Sequence, residues 1–176
     1  MPPTVDDHKC IFDVLPWIVF EPWSCLDGMK KILILGGTGK TGRRIARRLQ
    51  AGGQPVRTAS RTSGAVPFDL DNPTTWPPAL DGVTAVYVME PNLQTSIDRQ
   101  ARIPRFVAEG VAASVRRLVL LSAHGVGEAD DSHPLKAAEQ AVRGSGVDWT
   151  ILRPDWFSQN FSESFWLQGV LDGTLI

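Results

Sequence analysis

Residues 30–50, Lys30-Lys31-Ile32-Leu33-Ile34-Leu35-Gly36-Gly37-Thr38-Gly39-Lys40-Thr41-Gly42-Arg43-Arg44-Ile45-Ala46-Arg47-Arg48-Leu49-Gln50, decide how the rest of the chain is read. Residues 32–35 form a short, unbroken apolar run, the pattern of a strand covered on both faces in a parallel sheet. A glycine turn follows. Beyond it, Gly42, Ile45, Ala46 and Leu49 fall on one face of a helix over 43–50, with Arg43, Arg44, Arg47 and Arg48 mostly on the other. Strand, glycine turn and amphipathic helix, in that order, form the first half of a βαβ unit.

Working downstream, the pattern repeats. Strands are expected at 56–60, 66–68, 85–89, 118–122 and 149–152, with helices at 96–115, adjusted at Pro104, and at 134–143, ended by Gly144-Ser145-Gly146. Alternating strands and helices predict an α/β fold, a doubly wound parallel sheet of Rossmann-like type with right-handed crossovers. No internal repeat or low-complexity segment interrupts it.

Upstream, residues 1–28 are different material. They hold five acids and one base, a charge of minus 4, against plus 3 for residues 29–176, and they show no sustained helix or strand period. Pro16, Trp17 and Glu21 break the apolar run that a secretory signal would need. This segment is read as a leader, poorly ordered, and the compact domain as beginning at Met29.

The whole chain has 176 residues, 43% hydrophobic and 21% charged, with a formal net charge of -1. That is enough apolar material for one domain. Near-neutral charge gives no field argument for nucleic acid, and no run of about 18 apolar residues exists to span a bilayer. Cys10 and Cys25 are too few for a disulfide framework and form no Cys-x-x-Cys pair, so no metal is expected and the default compartment is the cytoplasm.

The chemistry begins at the turn. Gly36, Gly39 and Gly42 fit G-x-x-G-x-x-G, and Gly37, Gly39 and Gly42 also fit G-x-G-x-x-G, between strand and helix as a dinucleotide site requires. The first glycines permit the turn, Gly39 lets amides approach a pyrophosphate, and Gly42 lets the helix lie close to the strand. Helix dipole and free amides favour the diphosphate, so Gly36, Gly37, Thr38, Gly39, Lys40, Thr41 and Gly42 form the candidate cradle. A P-loop is excluded, because Ile34 stands where that motif needs its first glycine.

An NAD site places a carboxylate at the end of the second strand, about 20 residues past the glycines. None occurs from Gln54 to Pro67, and Ser60-Arg61 stands there instead. A hydroxyl and a guanidinium suit a 2′-phosphate, so NADP(H) is expected over NAD(H). Arg43 is either an assistant or a solvated surface group. Phe68 and Asp69, after the third strand, are placed beside the adenine, and Met89 and Ser122, at the ends of the fourth and fifth strands, complete the cofactor set.

Together, residues 34–44, Ser60-Arg61, Leu120-Leu121-Ser122-Ala123 and Asp148-Trp149-Thr150-Ile151-Leu152-Arg153-Pro154 with Trp156-Phe157-Ser158-Gln159-Asn160-Phe161 carry a resemblance. Over about residues 29–174 the chain resembles the NmrA-like branch of the atypical short-chain dehydrogenase/reductase family, close to bacterial relatives of the ergot-alkaloid reductases. The resemblance implies a Rossmann fold, NADP(H) or NAD(H), and either reduction of small molecules or redox sensing without turnover. It also implies a substantial C-terminal part that forms the substrate pocket. This sequence stops at Leu175-Ile176, so that part is expected to be largely absent.

The wider family protonates its substrate with Tyr-x-x-x-Lys. Here Lys136 occupies a plausible lysine position, but Ser132 stands four residues earlier, and the one tyrosine, Tyr87, falls in the fourth strand. Candidate catalytic residues are therefore Ser122, His133 and Lys136. His124 and His133 flank the loop and could donate protons near neutral pH. Glu90, Pro91, Ser122, Trp156, Phe157 and Asn160 are candidates for the near side of a substrate cleft. An iminium acceptor is already cationic and takes hydride without a proton, so orientation beside the nicotinamide can supply much of the rate. The expected function is an NAD(P)H-dependent oxidoreductase acting on an imine, iminium or quinone-like molecule, as monomer or homodimer. A non-catalytic NAD(P) sensor and an inactive fragment remain the alternatives.

Overall fold

The structure is a computed structural model that describes residues 30–90, 101–163 and 166–174. The leader, both cysteines, Pro91 and the first part of the expected 96–115 helix lie outside the described residues.

Among the described residues, six parallel strands run β1 (Lys31–Leu35), β2 (Val56–Ser60), β3 (Val66–Pro67), β4 (Val83–Met89), β5 (Arg117–Leu121) and β6 (Asp148–Leu152), in sheet order β3-β2-β1-β4-β5-β6. Helices α1 (Gly42–Ala51), α2 (Trp76–Leu80), α3 (Arg102–Ala112), α4 (Pro134–Arg143), α5 (Gln159–Glu163) and α6 (Leu167–Leu171) complete the chain order. Strand order reverses beside β1, between its neighbours β2 and β4, which opens a crevice at the carboxyl ends of the strands.

Alternation along β1 divides the core. Leu33 and Leu35 face a large cluster with Val86, Val88, Leu118 and Leu120, under α2, α3 and α4. Ile34 faces the other side with Tyr87, Val119 and Leu152, where Ile45, Ala46 and Leu49 of α1 cover them. Phe106 of α3 is fully buried and meets Phe68 and Trp76 edge-on, with ring centroids 5.2 Å and 5.5 Å apart. The residues that predicted an amphipathic α1 are those it buries.

Three differences from the sequence reading have physical causes. Trp76-Pro77-Pro78-Ala79-Leu80, not expected as a helix, forms α2, because its prolines sit in the first turn, where no amide partner is required. Pro104 is the third residue of α3, so it leaves the helix unbroken for the same reason. The short helices α5 and α6 carry no long apolar period that a sequence window could detect. Among the described residues, no helix is long and apolar enough to cross a membrane.

Candidate functional site

The glycine turn is held by its own backbone. Gly36 has φ +62, a conformation that suits glycine, and Gly39 N–H donates to Gly36 O at 2.8 Å. Gly37 N–H reaches across to Ala59 O of β2 at 3.1 Å. A Cβ on Gly37 would lie 2.6 Å from the Thr58 Cβ, and one on Gly42 would lie 2.3 Å from Gly36 O. Gly37 and Gly42 thus set how closely turn, strand and helix approach, while Gly36, Thr38, Gly39, Lys40 and Thr41 line the cleft above.

That cleft has a volume of about 1350 Å³ and is open to solvent. The N–H groups of Thr38, Lys40 and Thr41 have no acceptor among the described residues, although these residues line the cleft. A row of open amides at the start of a helix fits a diphosphate.

Further along the same rim lie Ser60, Arg61, Phe68, Asp69 and Met89. Arg61 is exposed and makes no ion pair among the described residues. The Ser60 hydroxyl accepts from Ser63 N–H at 3.0 Å, which curls the loop after β2. Phe68 lines the cleft while its ring packs edge-on against Phe106. Asp69 Oδ1 accepts from Asp71 N–H at 3.0 Å, and Asp71 in turn takes two hydrogen bonds from Arg102 at 2.8 Å and 2.9 Å. Arg102 also bonds the buried Glu90 carboxylate. Burial pushes the Arg102 pKa down, but Asp71 and Glu90 outweigh it and hold the net shift upward, so the guanidinium stays charged.

At the other end the structure separates the three catalytic candidates. Ser122 lines the cleft, but its hydroxyl donates to Glu139 Oε1 at 2.6 Å. Glu139 also accepts from Arg153 Nε at 2.9 Å, and an Arg153 terminal nitrogen meets its second oxygen at 2.5 Å. Burial raises the Glu139 carboxyl pKa, yet the hydrogen bonds from Arg153 and Ser122 and the charges of Arg153 and Arg143 prevail and hold it below the ordinary range. His133 and Lys136 do not line the cleft. His133 caps α4, its Nδ1 accepting from Leu135 N–H at 3.2 Å, and Lys136 Nζ donates to Ala129 O at 2.5 Å beside Asp131 at 3.2 Å.

Tyr87 is equally committed. Its hydroxyl donates to Thr41 Oγ1 at 3.1 Å, and burial, slightly opposed by that bond, has its pKa pushed up to about 12. It braces the glycine turn from beneath.

Glu90, Trp156, Phe157 and Asn160 line the cleft as expected. Arg43 does not; with Arg44 it grips Glu163 of α5 at 2.6 Å and 2.5 Å, tying the C-terminal segment to the start of α1. Sequence reasoning missed the Ser122-Glu139-Arg153 and Asp71-Arg102-Glu90 clusters. A charged residue on the apolar face of α4, four residues before Arg143, was the available signal for the first, and Glu139 is 4% exposed.

A parallel sheet whose strand order reverses beside a glycine turn, with open helix-start amides facing the crevice, defines a dinucleotide-binding domain of Rossmann-like fold. The chain belongs to the NAD(P)H-binding family, whose model matches residues 36–166. It is 38% identical over 136 residues to an uncharacterised oxidoreductase, YesF, of Bacillus subtilis, covering 74% of this chain and 46% of that one. It is 32% identical over 148 residues to festuclavine synthase I of Penicillium roqueforti, covering 75% and 50%. Among solved structures, a short-chain dehydrogenase/reductase superfamily protein of Agrobacterium tumefaciens with bound NAD superposes with a TM-score of 0.59 at 22% identity, covering 70% of this chain and 48% of that one. The chain spans about half the length of the relatives it matches.

Proposed function

We propose that the chain is the cofactor-binding part of an NAD(P)H-dependent oxidoreductase, takes NADP(H) in preference to NAD(H), and delivers hydride to a small organic acceptor of iminium or quinone-like type. The observation that carries this reading is the row of open amides at Thr38, Lys40 and Thr41, with Arg61 uncommitted farther along the same cleft. The reduced nicotinamide supplies the hydride. The residues of this chain bind and orient. The turn amides hold the diphosphate, Ser60 and Arg61 meet a 2′-phosphate, and Asp69, fixed by Asp71 and Arg102, presents the wall for the adenine.

The oxidoreductase and festuclavine synthase relatives support a small organic acceptor. An iminium carbon accepts hydride and becomes a neutral amine with no proton transfer, which suits a cleft that Tyr87 does not serve. Ser122, bonded to Glu139, keeps its oxygen as an acceptor and fixes the cleft floor.

Calorimetric titration of the full chain with NADPH and NADH tests the assignment. NADPH is expected to bind more tightly, and Arg61→Ala is expected to weaken NADPH by roughly tenfold to a hundredfold, the worth of a charged hydrogen bond, while NADH changes little. Equal losses would remove the phosphate contact from Arg61. A second reading, a non-catalytic NAD(P) sensor, draws on the commitment of Tyr87, His133 and Lys136 to structural bonds. Cofactor binding with no consumption across imines, quinones and aldehydes would select it.

A further inference from the structure

With Tyr87, His133 and Lys136 committed elsewhere and the Ser122 proton directed at Glu139, one histidine among the described residues lines the cleft and is of a type suited to proton transfer. His124 lies two residues beyond Ser122, on the loop that leaves β5 at the carboxyl edge of the sheet, and it lines the cleft. Its backbone N–H donates to Pro154 O at 3.1 Å, which ties this loop to the segment leaving β6. The next residue of that segment is Asp155, also in the cleft lining, with Oδ1 3.4 Å from His124 Nδ1. Gly125, with φ +76, then turns the chain away.

Two neighbouring strand ends thus deliver an imidazole and a carboxylate to the same side of the cleft as Ser122. A carboxylate beside Nδ1 orients the ring and leaves Nε2 for another partner. Both side chains are largely exposed, 73% and 70%, so water can return the proton after each cycle. Glu128 and Asp130 of the same loop make no ion pair among the described residues, and several neighbouring charges are paired. Arg153 and Arg143 neutralise Glu139 behind it, Lys136 pairs with Asp131 on the α4 side, and Arg102 holds Glu90 across the cleft.

We propose that His124, with its Nδ1 set by Asp155, is the proton donor of this cleft for carbonyl acceptors. This rests on the reading of the cleft as a hydride-transfer site. In the step, hydride from NADPH forms a C–H bond at the carbonyl carbon, the C=O π pair moves to oxygen, and that oxygen takes the Nε2 proton. The products are an alcohol, NADP+ and neutral imidazole, which water then reprotonates. An iminium carbon needs no such proton, so the residue divides the two substrate classes.

The test uses the full chain, NADPH, 4-nitrobenzaldehyde as the carbonyl probe and N-methyl-3,4-dihydroisoquinolinium as the iminium probe. His124→Ala is expected to lower kcat for the aldehyde by roughly a hundredfold, within the usual range for a general acid, and to lower the aldehyde-to-iminium ratio of kcat at least tenfold. Added imidazole is expected to restore part of the aldehyde rate, because the site is open to solvent. Asp155→Asn should give a smaller fall in the same ratio. Independently of turnover, the ring resonances of His124 are expected to shift when NADP+ and 4-nitrobenzyl alcohol are added together, while those of His133 stay in place. Wild-type reduction of both probes with an unchanged ratio in His124→Ala, or ring resonances that do not move, would overturn the role of His124 and leave the oxidoreductase reading standing. NADPH consumption with neither probe would remove that reading, and the proton donor with it.

Discussion

Gly42→Ala is the sharpest perturbation of the nucleotide site. In an ordinary helix this change stabilises by up to about 1 kcal/mol, because alanine loses less backbone freedom than glycine. At position 42 the added methyl carbon would stand 2.3 Å from Gly36 O, 2.8 Å from Gly36 C and 2.9 Å from Gly37 Cα. All three are backbone atoms of the turn, so no side chain can swing aside. Reaching ordinary contact requires α1 and the turn to part by about 1 Å. Overpacking of this kind costs about 1–3 kcal/mol, which exceeds the propensity gain. The displacement falls on Lys40 and Thr41, whose amides face the cleft. Misplacing two donors to a diphosphate is expected to weaken NADPH at least tenfold, about 1.4 kcal/mol. Urea unfolding followed by far-ultraviolet circular dichroism reads the first effect, and calorimetric titration reads the second. Gly52→Ala at the other end of α1 is the control. There φ is -85 and the added carbon would meet Leu49 O at 3.4 Å, so unchanged or slightly higher stability is expected. A Gly42→Ala protein as stable as wild type and binding NADPH equally well would refute the close-approach argument.

Further outcomes follow from packing and titration. Glu139→Gln removes the carboxylate to which Ser122 and Arg153 donate and is expected to cost about 1–3 kcal/mol in urea unfolding; a loss below about 0.5 kcal/mol would show that the cluster is not a stabilising element. Because the native Glu139 pKa is depressed, its contribution is full above the ordinary carboxyl range and is lost as pH falls below that range toward the lower native value, so the difference between wild type and Glu139→Gln should narrow on acidification. The single tyrosine makes a clean spectroscopic probe: with Tyr87 raised to about 12, no phenolate absorbance is expected near pH 10 in the folded protein, and the stability tied to its neutral form is lost as pH climbs from 10 toward 12. An ordinary phenolate titration near pH 10 would place Tyr87 in solvent. Phe106→Ala, at the meeting of Phe68 and Trp76, is expected to cost about 3–5 kcal/mol; a loss within the range of surface substitutions would contradict the packing of the large core cluster.

Much of the nucleotide half was legible in the chain because local rules govern it. An apolar run of Ile32 to Leu35 has one way to be buried on both faces, and three glycines spaced by two residues mark positions where backbone must meet backbone. The absence of a carboxylate from Gln54 to Pro67 is also a purely sequential fact. These features fixed the fold class, the turn and the position of Arg61 before any contact was known.

Only the tertiary structure decided which reactive side chains are available. Ser122, His133 and Lys136 were candidates in sequence for different reasons: a strand-end serine, a loop histidine and the plausible lysine position. Packing α4 against β5 and β6 brings Glu139 between Ser122 and Arg153 and spends the hydroxyl proton. The cap at the start of α4 spends His133, and the loop before it spends Lys136. In contrast, the parallel register of β5 and β6, Leu121 opposite Leu152, sets the loops that follow them side by side and brings His124 to Asp155 across 31 residues of chain. Sequence determined the cofactor frame because its signals are short-range spacings and backbone constraints. The partners of each polar group depend on which helix lies over which strand, and no spacing along the chain encodes that.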